Sequence, residues 1–408
     1  MTHQPQGTEQ RQPAGQPGSP GSPGARAHAV AGTILADITA LVQLESHSRD
    51  LPALQAARAA VRTLAVERLG EPDRESLDGD GVHGEVLTLT YEGSGNGRVL
   101  VVGHYDTVWP AGTLAGWPAA ASGGESGGIL SGPGIFDMKT GLVQGIWALK
   151  LLRDAGAPCP TVTFLINGDE EIGSVFSRSL IEKAAVEADA VLVLEASADG
   201  AVKTGRKGVG IFTVRATGVE AHAGLDPTAG ASAVHALAEF VVQAVRIADL
   251  DRGTSVNVGL IEGGTGSNVT AGSASAVIDI RVRNAAEMKR VDEAMDAITV
   301  SDPRVEIAVE HLWNRPPMAA PEANPLLEAA RAAASDVGLH LRDVSVGGAS
   351  DANFVAALGI PVLCGLGAVG GGAHARGEHI RVDAVPVWTA LTAGTLSRLV
   401  DGIPASRG

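Results

Sequence analysis

The 408-residue chain has a formal net charge of −15, with 45% hydrophobic but only 3% aromatic residues. That composition describes a globular protein with small-residue packing, long enough for two domains, and its acidity argues against a nucleic-acid partner. No apolar run approaches the ~20 residues of a membrane helix, which argues against a membrane, and the two cysteines, Cys159 and Cys364, read as small buried thiols compatible with a reducing cytoplasm.

Residues 1–26, rich in Gln, Pro, Gly and Ser, read as a disordered tail without the basic start and apolar core of a secretory signal. Helical spacing follows from His28 to Glu45. Asp50-Leu-Pro52 opens a second helix that closes at Gly70. Glu85–Tyr91 and Arg98–Gly103 read as strands, and the Gly-Ser-Gly-Asn-Gly stretch between them (93–97) as a hairpin turn. A helix from about Thr140 to Ala155, a strand at 161–167, a helix near 177–186 and a strand at 190–194 continue the alternation. This predicts an α/β fold, a mostly parallel sheet covered by helices on both faces.

From Lys207 the pattern changes to β-α-β-β-α-β: strands at 209–217, 255–262, 274–283 and 305–311, helices at 231–247 and 285–298. That is a ferredoxin-like split unit complete enough to be a small inserted domain. The expected division is 27–206 with 316–408 for the first domain and 207–315 for the insertion, Arg315-Pro-Pro-Met318 being the return hinge. A helix around 325–337, an apolar run at 361–366 and a helix near 384–400 complete the first domain.

Ligands of open α/β sheets bind outside the carboxyl ends of the strands. His104 and Asp106 end one predicted strand, Glu170 and Glu171 a second and Glu195 a third, while His374 follows a fourth and Asp137 opens a helix. Three adjacent acids, Asp169 to Glu171, repel one another unless solvated or joined by a cation. Imidazoles with carboxylates suit Zn²⁺, and a bridging carboxylate with two ligands on each side would hold two ions.

The motifs Gly-His104-Tyr-Asp106-Thr-Val, Gly-Pro-Gly-Ile-Phe-Asp137-Met-Lys139, Asp169-Glu170-Glu171-Ile-Gly-Ser, Glu195-Ala-Ser, Ala-His222-Ala-Gly, Gly-Gly-Ala-Ser-Asp351 and Ala-His374-Ala-Arg resemble the M20 family of zinc metallopeptidases and amidohydrolases, most closely its glutamate carboxypeptidase branch. The resemblance covers residues 30–400. It implies that two Zn²⁺ per subunit, with Co²⁺ or Mn²⁺ as substitutes, are held by His104 and Glu195 on one side and Glu171 and His374 on the other, bridged by Asp137. It further implies that Asp106 orients His104 and that Glu170 is the general base of amide hydrolysis. By the same resemblance His222 reaches the reacting carbonyl from the partner subunit of a homodimer, and Asn268, Arg281 and Lys203 bind substrate. Arg283 and Arg315 read as salt-bridged surface or hinge residues. The expected substrate is a small peptide or N-acyl amino acid, with release of a C-terminal residue such as glutamate. An N-acyl-amino-acid deacylase or desuccinylase is the nearest rival, and a non-catalytic amino-acid or peptide binder the rival of another class.

Overall fold

The computed structural model describes residues 21–123, 128–321 and 323–403. Strands β1 (Arg74–Asp78), β2 (Gly84–Tyr91), β3 (Arg98–His104), β4 (Ala120–Ser122), β5 (Ile129–Ser131), β6 (Thr161–Gly168), β7 (Ala190–Val193) and β8 (Ala201–Arg206) alternate with helices α1 (Pro23–Ala29), α2 (Ala31–Val42), α3 (Leu51–Leu69), the short α4 (Thr113–Gly116), α5 (Thr140–Asp154) and α6 (Arg178–Val186). After an insertion the chain adds α9 (Pro325–Asp336), β15 (Arg342–Val346), α10 (Ala352–Ala357), β16 (Val362–Cys364), β17 (Gly370–Gly371), β18 (His379–Arg381) and α11 (Ala384–Ser397).

Eight strands form one sheet in the order β1-β2-β6-β3-β7-β16-β8-β15, and its centre, β6-β3-β7-β16, is parallel. Successive side chains of a strand point to opposite faces, and here both faces are covered. Val99 and Val101 of β3 join the core under α1, α2, α3, α5, α9 and α11, whereas Leu100 and Val102 face Ile181 of α6 and Val355 of α10. Asp50 caps α3 by accepting the Ala53 amide at 3.1 Å, and Gly70 ends it at φ 84°, a region a side chain avoids.

The insertion comprises β9 (Gly208–Thr217), β10 (Ala221–His222), α7 (Ala233–Ala244), β11 (Ser255–Gly263), β12 (Val269–Thr270), β13 (Ser273–Val282), α8 (Ala285–Asp296) and β14 (Glu306–Arg315). Its antiparallel sheet, β11-β13-β9-β14, carries α7 and α8 on one face over a separate core of Phe212, Val214, Ile278, Ile280, Leu237, Phe240 and Val291. This is the ferredoxin-like unit. Arg206 and Met318 exchange both backbone hydrogen bonds, at 2.8 and 3.0 Å, so the chain leaves and re-enters the large sheet at one point.

Two expectations are corrected. The predicted tail falls largely outside the described residues, but α1 already begins at Pro23, because Ser22 caps it by accepting the Ala25 amide and Pro23 supplies a preset φ. The stretch 93–97 is not a hairpin turn: β6 lies between β2 and β3, so the turn spans a strand. Strands β1, β8 and β15 and helix α10 were not anticipated.

Among the described residues no single helix is long and apolar enough to cross a membrane. The bent pair α1 and α2, which passes that test jointly, puts Ile34, Ile38, Leu41 and Val42 into the core.

Candidate metal centre

Adjacent strands β6, β3, β7 and β16 deliver the predicted site to one sheet edge. His104 ends β3, fully buried, with Nδ1 3.3 Å from an Asp106 carboxylate oxygen and 3.1 Å from the Asp106 carbonyl. Its Nε2 points into the centre, 3.4 Å from Asp137 and 3.8 Å from Glu195. Asp106 is also buried and accepts from Ser48 Oγ at 2.7 Å and from the Glu170 and Glu171 amides at 3.2 Å, so it holds both the imidazole and the acidic turn after β6.

Asp137 arrives on the turn before α5, where Gly134 adopts φ 71°, a region a side chain avoids. Behind it Gly141 lets α5 pack against the end of β7: a Cβ there would sit 2.0 Å from the Leu194 carbonyl oxygen. His374 sits at the tip between β17 and β18 at φ 59°, with its Nε2 3.0 Å from Glu171 and 3.5 Å from Asp137. A non-glycine residue in that region stores strain and points to a constrained position. His379, the competing imidazole, lies in β18 with Nδ1 2.9 Å from the Gly377 carbonyl.

The three acids after β6 diverge. Asp169 is buried and accepts the Phe176 and Ser177 amides at 2.8 and 3.2 Å, fixing the turn into α6. Glu171 faces His374. Glu170 lies with His104 and Glu195, one ligand atom of each within 4.8 Å of the others.

The electrostatics are those of a crowded acidic site. Burial pushes Glu171 up to about 7 against the pull of His374, and burial pushes Glu170 well above its ordinary value despite Arg315. The Glu171 carboxylate raises His374 to about 9. Burial would lower His104, but Asp106 and Asp137 outweigh it and hold the imidazole well above its ordinary value. Burial would raise Asp137, yet His104, His374 and Lys203 together keep it low. His104 Nε2 and Glu171 Oε1 are buried without a hydrogen-bond partner among the described residues. Orphaned polar atoms of this kind, in a nest of carboxylates and imidazoles, fit a divalent cation.

Sequence reasoning set aside Arg315, which belongs to the site. It ends β14, 9% exposed, and its Nη2 donates to Glu170 Oε1 at 2.8 Å, Ser174 Oγ at 3.0 Å and Asp351 Oδ1 at 3.2 Å. Asp351 additionally accepts from Asn167 at 2.7 Å and from Ser174. Arg206, buried under Glu195 at 3.5 Å, was also missed, and so was Glu378. The signal for Arg315 was its place between a strand and Pro316-Pro317; nothing local marked Arg206.

Of the remaining predicted residues, His222, Asn268 and Arg281 stand apart. His222 is exposed on β10, its Nδ1 accepting the Gly224 and Leu225 amides at 3.1 and 3.0 Å, and Asn268 is brought beside it by the Ala223 amide donating to the Asn268 carbonyl at 2.9 Å. Among the described residues no hydrogen bond or ion pair joins either to the acidic cluster. Arg281 is engaged by Asp279 through two bonds of 2.8 and 2.7 Å, so its fork is occupied. Lys203 lies on β8, half-buried, near Asp137.

The model of peptidase family M20/M25/M40 matches residues 100–398. The chain belongs to family M20. It is 31% identical over 363 residues to carboxypeptidase G2 of Pseudomonas sp. (strain RS-16), covering 86% of each chain, and 26% identical over 321 residues to a succinyl-diaminopimelate desuccinylase of Dechloromonas aromatica, covering 74% of this chain and 83% of that one. Among solved structures it resembles the aminopeptidase PepT of Bacillus cereus (TM-score 0.74, 22% identity, 90% of this chain and 98% of that one). The M20 metallo-carboxypeptidase Sso-CP2 of Sulfolobus solfataricus shares the fold at TM-score 0.69 and 18% identity, covering 89% and 98%. As an M20 member the chain is a metal-dependent hydrolase of amide bonds.

Proposed function

We propose that this M20 hydrolase is a di-zinc carboxypeptidase that releases a C-terminal amino acid such as glutamate from a small peptide or N-acyl substrate. The observation that carries the reading is the convergence of His104, Asp137, Glu171, Glu195 and His374 at one sheet edge with two orphaned ligand atoms and Glu170 beside them. His104 and Glu195 would hold one Zn²⁺, Glu171 and His374 the other, and Asp137 would bridge, with Co²⁺ or Mn²⁺ as substitutes. When bound, such ions supply Lewis acidity that acidifies a water and polarises the scissile carbonyl.

Glu170, close to the ligands but clamped by Arg315, takes the proton of the attacking water and returns it to the leaving nitrogen. Asp106 fixes the tautomer and aim of His104. Lys203 and Asn268 are the substrate contacts of the proposal; Arg281 joins them only if substrate displaces Asp279. Residues 207–315 form the lid, bounded by 27–206 and 316–408. Edge strand β11 exposes Leu260 and Ile261, at 63% and 59%, and pairing two such edges yields a homodimer in which His222 of one protomer reaches the site of the other. We place the enzyme in the cytoplasm.

The occupied fork of Arg281, together with desuccinylases among the relatives, favours a deacylase of N-acyl amino acids as second reading. Hydrolysis of dipeptides and folate-like compounds ending in glutamate, set against N-acetyl and N-succinyl amino acids, separates them: preference for the first group supports the carboxypeptidase, preference for the second replaces it.

A further inference from the structure

One buried acid has no part in the reaction above. Glu378 is fully buried four residues beyond His374. Its Oε1 accepts the backbone amides of Phe136 at 2.8 Å and Asp137 at 3.0 Å, and its Oε2 accepts the Gly134 amide at 3.0 Å and the Trp109 indole N–H at 2.9 Å. Its own carbonyl accepts Ser131 Oγ at 2.8 Å and the Gly132 amide at 3.3 Å, where β18 pairs with β5. The neighbouring Lys139 ammonium donates instead to the Leu44 carbonyl, so the Glu378 carboxylate is held by neutral donors.

A carboxylate is costly to bury, and an apolar side chain would serve packing alone at less cost. What an acid offers here is four acceptor positions matched to four converging N–H groups, a cradle of the kind that main-chain amides form for anions. An isosteric amide would turn an NH₂ toward those donors. The result is a tie between two turns far apart in sequence: 132–137, which delivers Asp137, and 372–378, which delivers His374. Across that tie the two side chains stand 3.5 Å apart.

We propose that Glu378 is a positioning residue that sets the spacing of Asp137 and His374, and thereby the affinity for the cation those groups share with Glu171. It touches neither the cation nor the substrate. The inference rests on the two-ion reading above.

The test uses the full chain stripped with a chelator and titrated with Zn²⁺ against a chromophoric competitor, with zinc counted per folded chain. Wild type is expected to take up two ions. Glu378→Gln is expected to keep the first and bind the second about ten- to a hundredfold more weakly, the range for loss of an outer partner of a metal ligand, with the visible spectrum of the second Co²⁺ equivalent altered. Its activity should recover at raised zinc. If Glu378→Gln binds both ions as tightly as wild type while only its melting temperature falls, Glu378 serves the fold and the proposal is overturned. Should that variant not fold, Glu378→Asp, which withdraws the carboxylate by one methylene, decides: wild-type affinity for both ions overturns the proposal and a weakened second ion supports it. Wild type binding fewer than two ions would instead remove the two-ion reading itself.

Discussion

Arg315 joins the inserted sheet to the acid assigned as general base, and its removal gives a sharp prediction. Arg315→Met leaves Glu170 and Asp351, exposed by only 11% and 3%, without their shared cation. Removing one partner of a buried pair costs about 3–5 kcal/mol. Asp351 keeps Asn167 and Ser174, so the loss falls mainly on Glu170, and about 3 kcal/mol is expected. If the same energy is lost from the placement of Glu170, kcat/KM falls by about two decades at 1.36 kcal/mol per decade. All contacts to Glu170, Ser174 and Asp351 run through one nitrogen, Nη2, so Arg315→Lys should recover much of both losses. Urea unfolding and steady-state kinetics on a glutamate-terminated dipeptide read them out. A methionine variant within about 0.5 kcal/mol and threefold of wild type would refute the clamp, because surface substitutions alone fall in that range.

Glu170→Gln should retain the metal content of wild type and abolish turnover, whereas Glu171→Ala should lose metal; activity of Glu170→Gln within about tenfold of wild type would show that the base lies elsewhere. Mixing inactive His222→Ala chains with inactive Glu170→Gln chains should restore about a quarter of wild-type sites, since about half of randomly exchanged dimers are mixed and each carries one complete site; a dead mixture despite proven exchange places His222 in its own chain or outside the reaction. In the inserted domain, Arg290, with Thr254 and Arg252, holds Glu287 down to about 2 from 4.5. A depressed acid stabilises the fold above its unfolded value and loses that contribution as pH falls from about 4.5 to about 2, so the deficit of Glu287→Gln, about 3 kcal/mol at neutral pH, should vanish toward pH 2 in parallel unfolding curves. A deficit independent of pH would contradict the assignment.

The parts of the fold legible in sequence are those with local cause. β3, β6 and β7 are apolar runs because both their faces are buried, and β13 alternates strictly because helices cover only one of its faces. Each of the acids and imidazoles at the strand ends could be named because open parallel sheets present that edge to ligands. The misses have non-local causes. β6 separates β2 from β3 through pairing that no turn residue announces, and β1, Arg-Glu-Ser-Leu-Asp, is an exposed edge without apolar pattern. Glu378 answers amides 241 to 244 positions away, and Arg315 answers a carboxylate 145 positions away. α1 is different, since Ser22 and Pro23 carried a helix-start signal that the composition of the preceding stretch obscured.

On the proposed reading the cluster exists to hold cations beside a base. Metal analysis of the purified chain after zinc is supplied and unbound metal removed tests it most directly. Two Zn²⁺ per wild-type chain are expected, with hydrolytic activity lost on chelation and regained on zinc return; fewer than one bound transition-metal ion per chain would contradict that reading.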